Sequence, residues 1–147
     1  MTKKRTRDPW MTAAEYGRRM PPFTVDLIVA DVARSIRFYA DVLGAEVEYA
    51  DEDFAALRLA GLDFILHADH AYDHHPSYAT LAPSGTRGSG AMLRLLGVDP
   101  DEVEHRARSA GAEIVQPVGD RGHAWRDVMV ADPDGYVWAV GVLLPEA

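Results

Sequence analysis

The sequence predicts an α+β fold in which one βαβββ unit occurs twice. Three observations lead there: an internal repeat offset by 67 to 68 positions, a change of hydrophobic period from two to about 3.6 inside each copy, and glycine-bearing turns where each element must stop. The chain of 147 residues, 48% hydrophobic and 26% charged, is long enough to bury one real core.

The first copy begins at Thr24, where Val25, Leu27 and Val29 alternate with Thr24, Asp26 and Ile28, the period of a half-buried strand. Asp31 is placed to cap a helix whose apolar stripe is Val32, Ile36, Tyr39 and Leu43, with Gly44 as the left-handed stop. The second copy starts at Met92. Asp99 is its cap, Pro100 takes the first helical position, and Glu102 is expected to complete a capping box. Val103, Ala107 and Ala110 form the stripe and Gly111 ends it. Three strands follow each helix: AEVEYA, FAALRLAG and DFILHA, then AEIVQP, RDVMVAD and YVWAVGV, the last two joined by Asp132-Pro133-Asp134-Gly135. Within one compact domain, the expected organisation is an N-terminal extension over 1–20, a first module over 21–68, a linker over 69–89 and a second module over 90–147. In the extension, Asp8-Pro9 opens a short helix that Pro21-Pro22 end, with Trp10 covering a hydrophobic edge. The linker, rich in Gly, Pro and Ser, reads as a tether or a lid.

Residues 1–20 hold six basic and two acidic side chains, which leaves the remainder near −12. Such a body repels phosphate backbones, so no nucleic-acid partner is expected, and it draws cations. No apolar run approaches the ~20 residues needed to cross a bilayer, and the start MTKKRTRDPW has no apolar stretch behind its charges, so no membrane partner is expected and the expected location is cytoplasmic. Without cysteine there is no thiolate nucleophile and no zinc–thiolate site.

The doubled βαβββ pattern, the segment DVARSIRFYADVLGAEV and the turn DPDGYVW together resemble the vicinal oxygen chelate superfamily, which includes glyoxalase I, extradiol dioxygenases, and fosfomycin and bleomycin resistance proteins. The resemblance covers roughly residues 22–144. It implies two curved sheets facing each other around a central cup, a homodimer, and, in metal-dependent members, histidine or glutamate ligands on the first and last strands of each module. At those places this chain has Thr24 and Ile65, then Met92 and Ala139, none able to supply imidazole or carboxylate. A slip of one residue brings in no ligand either. No metal and no cofactor is therefore expected. His67, His70, His74 and His75 offer a metal an alternative, but Pro76 breaks the helix their spacing would need.

Strand parity puts Asp26, Ile28, Arg94 and Leu96 toward the cup, with Asp63, Ile65 and His67, while Leu62, Phe64 and Leu66 go under the helices. Val137, Ala139 and Gly141 fall inward, small enough to leave room. The expected ligand-binding residues are Asp26, Arg58, His67, Met92, Arg94 and Trp125, with Asp26 and Arg94 either paired together or orienting a polar ligand. His67 is the candidate general base. Trp125, Tyr72 and Tyr78 can stack on an aromatic or cationic ligand, or cover a dimer interface. Two functions follow: metal-independent binding of a small cationic or aromatic molecule, as in a bleomycin-resistance-like protein, or a glyoxalase-like lyase, isomerase or epimerase.

Overall fold

A computed structural model describes residues 2–83 and 85–146. The chain forms α1 (Ala13–Arg19), β1 (Asp26–Val29), α2 (Val32–Asp41), β2 (Glu46–Ala50), β3 (Phe54–Leu59), β4 (Leu62–Ala68), β5 (Met92–Leu96), α3 (Pro100–Ala110), β6 (Glu113–Asp120), β7 (Trp125–Ala131) and β8 (Val137–Leu143). Two mixed four-stranded sheets result, ordered β1-β4-β3-β2 and β5-β8-β7-β6, with the first strand of each module parallel to its last. The fold is thus α+β with βαβββ occurring twice. The chain divides into two compact units, one built from residues up to Ile36 with Ala45–Leu81, the other from Arg37–Gly44 with residues from Ala82 onward. The helix α2 runs from one into the other.

In the first unit, Leu27, Val29, Leu57, Leu59, Phe64 and Leu66 are buried on one face of the sheet, the outcome that the period of two demands. Asp31 caps α2 by accepting the Arg34 N–H at 2.8 Å. Leu62, expected under a helix, is 69% exposed, because it opens β4 directly after the left-handed Ala60–Gly61 turn at the sheet's end. The opposite face carries Asp26, Phe54, Ala56, Ile65 and His67, and here the N-terminal segment supplies cover. Thr12, not Asp8-Pro9, starts α1: its hydroxyl accepts the Glu15 N–H while Glu15 accepts the Thr12 N–H. Trp10 stacks on Tyr49 of the edge strand β2 at 5.3 Å, and Tyr16 meets Phe54 edge-on at 5.4 Å. Lys4 anchors the segment through its backbone N–H, 2.7 Å from buried Asp53.

In the second unit, α3 packs across β6, β7 and β8 over Val103, Ala107, Val128, Val130 and Val140, all fully buried. Ala110 lies outside this stripe and is exposed. Glu102 does not close a capping box: Asp99 accepts the Asp101 N–H, and Glu102 instead accepts from Arg106 at 3.0 Å, the commoner i,i+4 use of a surface carboxylate. Tyr39 sits in this core. Its hydroxyl donates to Asp132 at 2.7 Å and accepts from the Trp138 indole N–H at 3.3 Å. Asp132 also accepts the Asp134 and Tyr136 N–H groups, each at 2.9 Å, which closes the Asp-Pro-Asp-Gly turn. Gly135 is required there, since its φ is +96° and a Cβ would lie 2.7 Å from the Gly85 backbone. Burial raises the Asp132 carboxyl against the lowering pull of the Tyr39 hydrogen bond, and burial with the nearby Asp132 charge raises the Tyr39 hydroxyl well above the ordinary phenol range.

Candidate functional site

A cavity of about 250 Å³ lies in the first unit between the sheet and the N-terminal segment. Trp10, Met11, Tyr16 and Met20 wall it on one side, and Phe54, Ile65 and His67 on the other. A larger depression of about 450 Å³, where Lys4, Arg7, Asp31, Asp51 and Glu52 stand beside Val32, Ala33 and Ile36 of α2, is more open and carries more charge. The smaller cavity fits a ligand better, since recognition sites are concave and mostly apolar with few polar groups.

His67 is its chief polar feature. Its Nδ1 stands 2.9 and 3.0 Å from the two oxygens of Asp26, and Tyr72 donates to the same carboxylate at 2.8 Å. The strand register explains the meeting. Asp26 pairs across the parallel ladder with Ile65, so His67 is its diagonal neighbour on the same face. Phe54 and Tyr72 each place a ring 5.0 Å from the imidazole. Burial, then the hydrogen bond to Asp26, pushes the Tyr72 phenol far up, so it remains a donor. At the rim, Asp53 accepts from the Lys4 N–H, from His70 at 2.6 Å and from the Arg5 N–H. Burial works to raise Asp53, but these donors outweigh it and hold the carboxyl below its ordinary value.

The residues expected to bind a ligand thus separate. Asp26 and His67 come together, and Asp26 finds its partners within its own unit. Arg58 stands away from the cavity, on the solvent side of a 3.0 Å ion pair with Asp63. In the second unit Arg94 lies 6.0 Å from the ring centre of Trp125, a cation–π arrangement, and Met92 is 44% exposed. Gly141 does not create room. A Cβ there would meet the Arg126 carbonyl at 2.3 Å and the Asp127 Cβ at 2.8 Å. Sequence reasoning missed Asp127, fully buried and bonded to Arg121 at 2.8 Å, and the cavity roles of Trp10, Tyr16 and Phe54. The sequence predicts a short helix there with Trp10 over a hydrophobic edge, and the Thr12-x-x-Glu15 capping pattern is the signal that fixes where that helix starts.

The donor chemistry disagrees with a metal centre of the kind the resemblance implies. Thr24 and Ile65 in the first module, and Met92 and Ala139 in the second, bring one hydroxyl, one thioether and hydrocarbon. Among the described residues no three His, Asp or Glu side chains are grouped so as to hold an ion. In the linker, His70 is committed to Asp53, His75 accepts from the Ser77 N–H, and His74 faces solvent.

Comparison with known proteins agrees with the fold. An uncharacterized protein of Mycobacterium tuberculosis strain H37Rv is 30% identical over 127 residues, covering 82% of this chain and 74% of the relative. A glyoxalase/bleomycin resistance protein/dioxygenase family enzyme from Burkholderia phytofirmans superposes with a TM-score of 0.68 at 20% identity, over 82% of this chain and 97% of that one. The genomically encoded fosfomycin resistance protein of Listeria monocytogenes, solved with Mn(II) and sulfate, gives a TM-score of 0.62 at 17% identity over 83% and 89%. The family model for the glyoxalase/bleomycin resistance protein/dioxygenase superfamily matches residues 22–140, and the chain belongs to that superfamily.

Proposed function

We propose that this protein binds a small aromatic molecule in the cavity under its N-terminal segment, without a metal, and acts by holding it. The supporting observation is the cavity's composition: indole, phenol, phenyl and thioether side chains around one oriented imidazole. Its volume of about 250 Å³ suits one substituted ring, given that an apolar cavity of roughly 150 Å³ takes up benzene. Between the cationic and aromatic ligands that composition allows, the lining favours the aromatic one, since Lys3 and Arg5 border the cavity. Calorimetric titration with indole and with benzamidine tests this. Indole should bind saturably and benzamidine weakly, and Trp10→Ala should weaken indole about tenfold or more, a typical cost for a well-packed aromatic contact. Equal binding of both compounds, or an unchanged indole affinity in Trp10→Ala, overturns the reading. The second reading, a lyase, isomerase or epimerase, draws on the Asp26–His67 pair, the arrangement of an oriented general base. A homodimer accompanies either reading, and native mass spectrometry tests it by the subunit count.

A further inference from the structure

We infer that the ligand carries an acidic hydroxyl on its aromatic ring, and that His67 holds the proton of that hydroxyl in the complex while Asp26, itself held by the Tyr72 hydroxyl, stabilises the imidazolium. This rests on the cavity being the binding site, and adds a chemical class to it.

The geometry assigns the two ring nitrogens different tasks. A carboxylate only accepts, so Nδ1, within hydrogen-bond distance of both Asp26 oxygens, carries a hydrogen and donates it. In the neutral ring, Nε2 then holds the lone pair. His67 lines the cavity, whereas Asp26 and Tyr72 do not, and Nε2 has no hydrogen-bond partner among the described residues. The Tyr72 hydroxyl donates to Asp26 from the other side, and the rings of Phe54 and Tyr72 flank the imidazole, so its orientation is fixed before any ligand arrives.

An unpartnered acceptor in an aromatic cavity selects a flat molecule with one proton to give. An aliphatic alcohol is too weak an acid to surrender it to imidazole, and so is an unsubstituted phenol, roughly 3 to 4 pKa units weaker than imidazolium; a phenol acidified by an electron-withdrawing group is not. In the transfer the ligand O–H bond breaks, its electron pair stays on oxygen, and an N–H bond forms at Nε2. The Nδ1 hydrogen stays where it is, and nothing is oxidised or reduced. The imidazolium then lies between the ligand oxyanion and the Asp26 carboxylate. A ligand that arrives as its phenolate and meets an already protonated ring gives the same pair. Lys3 and Arg5 at the border favour the anion, and Asp53, the one acid lining the cavity among the described residues, is engaged by the Lys4 N–H and His70.

The test compares 4-nitrophenol with nitrobenzene, which lacks only the hydroxyl, on the full chain and on His67→Phe and Asp26→Asn. Wild type should prefer 4-nitrophenol by about ten- to a hundred-fold, the range of a charge-assisted hydrogen bond. It should also develop the yellow phenolate absorption on binding, at a pH below the free phenol's midpoint. His67→Phe should lose both the preference and the colour. Asp26→Asn, which retains the imidazole, should lose most of the colour, and it decides the matter if His67→Phe does not fold. Equal binding of the two probes to wild type, or a preference that survives in His67→Phe, overturns the inference while leaving the cavity as an aromatic site. Failure of both probes to bind overturns the cavity reading and this inference together.

Discussion

The two sheets present the same backbone positions with opposite contents. In the first, the register row Ile28, His67, Phe54 runs across β1, β4 and β3, and beside it runs Asp26, Ile65, Ala56. The corresponding rows of the second sheet are Leu96, Gly141, Asp127 and Arg94, Ala139, Met129. Where the first sheet keeps a histidine and a phenyl ring, the second has a glycine and a buried aspartate. The first sheet's row gains a roof from the N-terminal segment. The second sheet leaves Met92, Leu96 and Leu143 between 44% and 63% exposed on the face that Arg94 and Trp125 share. A duplicated backbone therefore does not fix where a site forms. The side chain in one row decides whether the neighbouring strand can approach or a cavity can open.

Filling the glycine is the strongest way to break that comparison. Gly141→Ala puts a methyl group 2.3 Å from the Arg126 carbonyl, which cannot yield without parting β7 from β8. The expected loss is about 2–3 kcal/mol of stability, the upper part of the range for overpacking. His67→Ala, in the same row of the other sheet, should cost about 1 kcal/mol, because it gives up one net hydrogen bond and opens a site that is already partly hollow. Urea midpoints of the two variants measure the contrast. A neutral Gly141→Ala would mean the two rows are interchangeable.

Next in size is Tyr39→Phe, which tests whether the second unit's polar core is structural. Removing the hydroxyl leaves Asp132 a buried acceptor short of a donor, at a cost of about 1–3 kcal/mol. The pH dependence has a definite sign. The Asp132 carboxyl is raised in the folded state, so folding favours its protonated form, and that contribution is lost as pH rises through the raised value. The penalty of Tyr39→Phe should therefore grow from acid to neutral pH, because only the charged carboxylate misses its donor. Thermal unfolding across that interval checks it, and a penalty independent of pH would place the cost in packing instead.

Much of this scaffold was readable. The caps at Asp31 and Asp99, the left-handed glycines at 44 and 111 and the Asp132 turn are local signals, decided within four or five residues, and the structure uses each of them. Parity also placed Asp26 and His67 on one face. Parity gives no register, however, so their hydrogen bond was not legible, and the expectation that Asp26 and Arg94 pair together or orient a polar ligand came from the repeat's symmetry alone. The roof over the first sheet was legible only in outline: a short helix with Trp10 over a hydrophobic edge was expected, and the edge residues it meets were not. Trp10 against Tyr49 and Lys4 against Asp53 are contacts across 39 and 49 positions, for which no periodicity exists. Gly141 was misread because a small residue leaves room only if nothing else moves in, and Asp127 does.

A smaller effect sharpens the account of the roof. Against the opposing pull of burial, Asp53 is held below its ordinary value by the Lys4 N–H, His70 and the Arg5 N–H, so the part of the docking that the segment's N–H groups provide is complete above the ordinary carboxylate range and is lost as pH falls through the lowered value. Hydrogen exchange at the Lys4 amide should accordingly show protection at neutral pH that disappears in acid while the sheet amides stay protected. Asp53→Asn should reduce that protection at all pH values. Protection that persists in Asp53→Asn would mean that stacking of Trp10 on Tyr49 alone holds the segment.

The smallest expected effect belongs to Arg58. Its guanidinium is about half exposed and shares a surface ion pair with Asp63 at 3.0 Å and a longer contact with Glu48 at 4.0 Å. Water screens such a pair, and holding two long side chains together offsets most of the attraction, so Arg58→Ala should change stability by less than about 0.5 kcal/mol. Indole affinity should not move, because Arg58 is not part of the cavity wall. Strand parity alone puts Arg58 on the same face as Asp26 and His67, so the variant separates two accounts of that face. If only the roofed part binds, calorimetry on Arg58→Ala reproduces wild type. A tenfold loss would mean that the ligand lies along the uncovered end of the sheet, beyond the reach of Trp10, and that the N-terminal segment is a structural cover with no part in recognition.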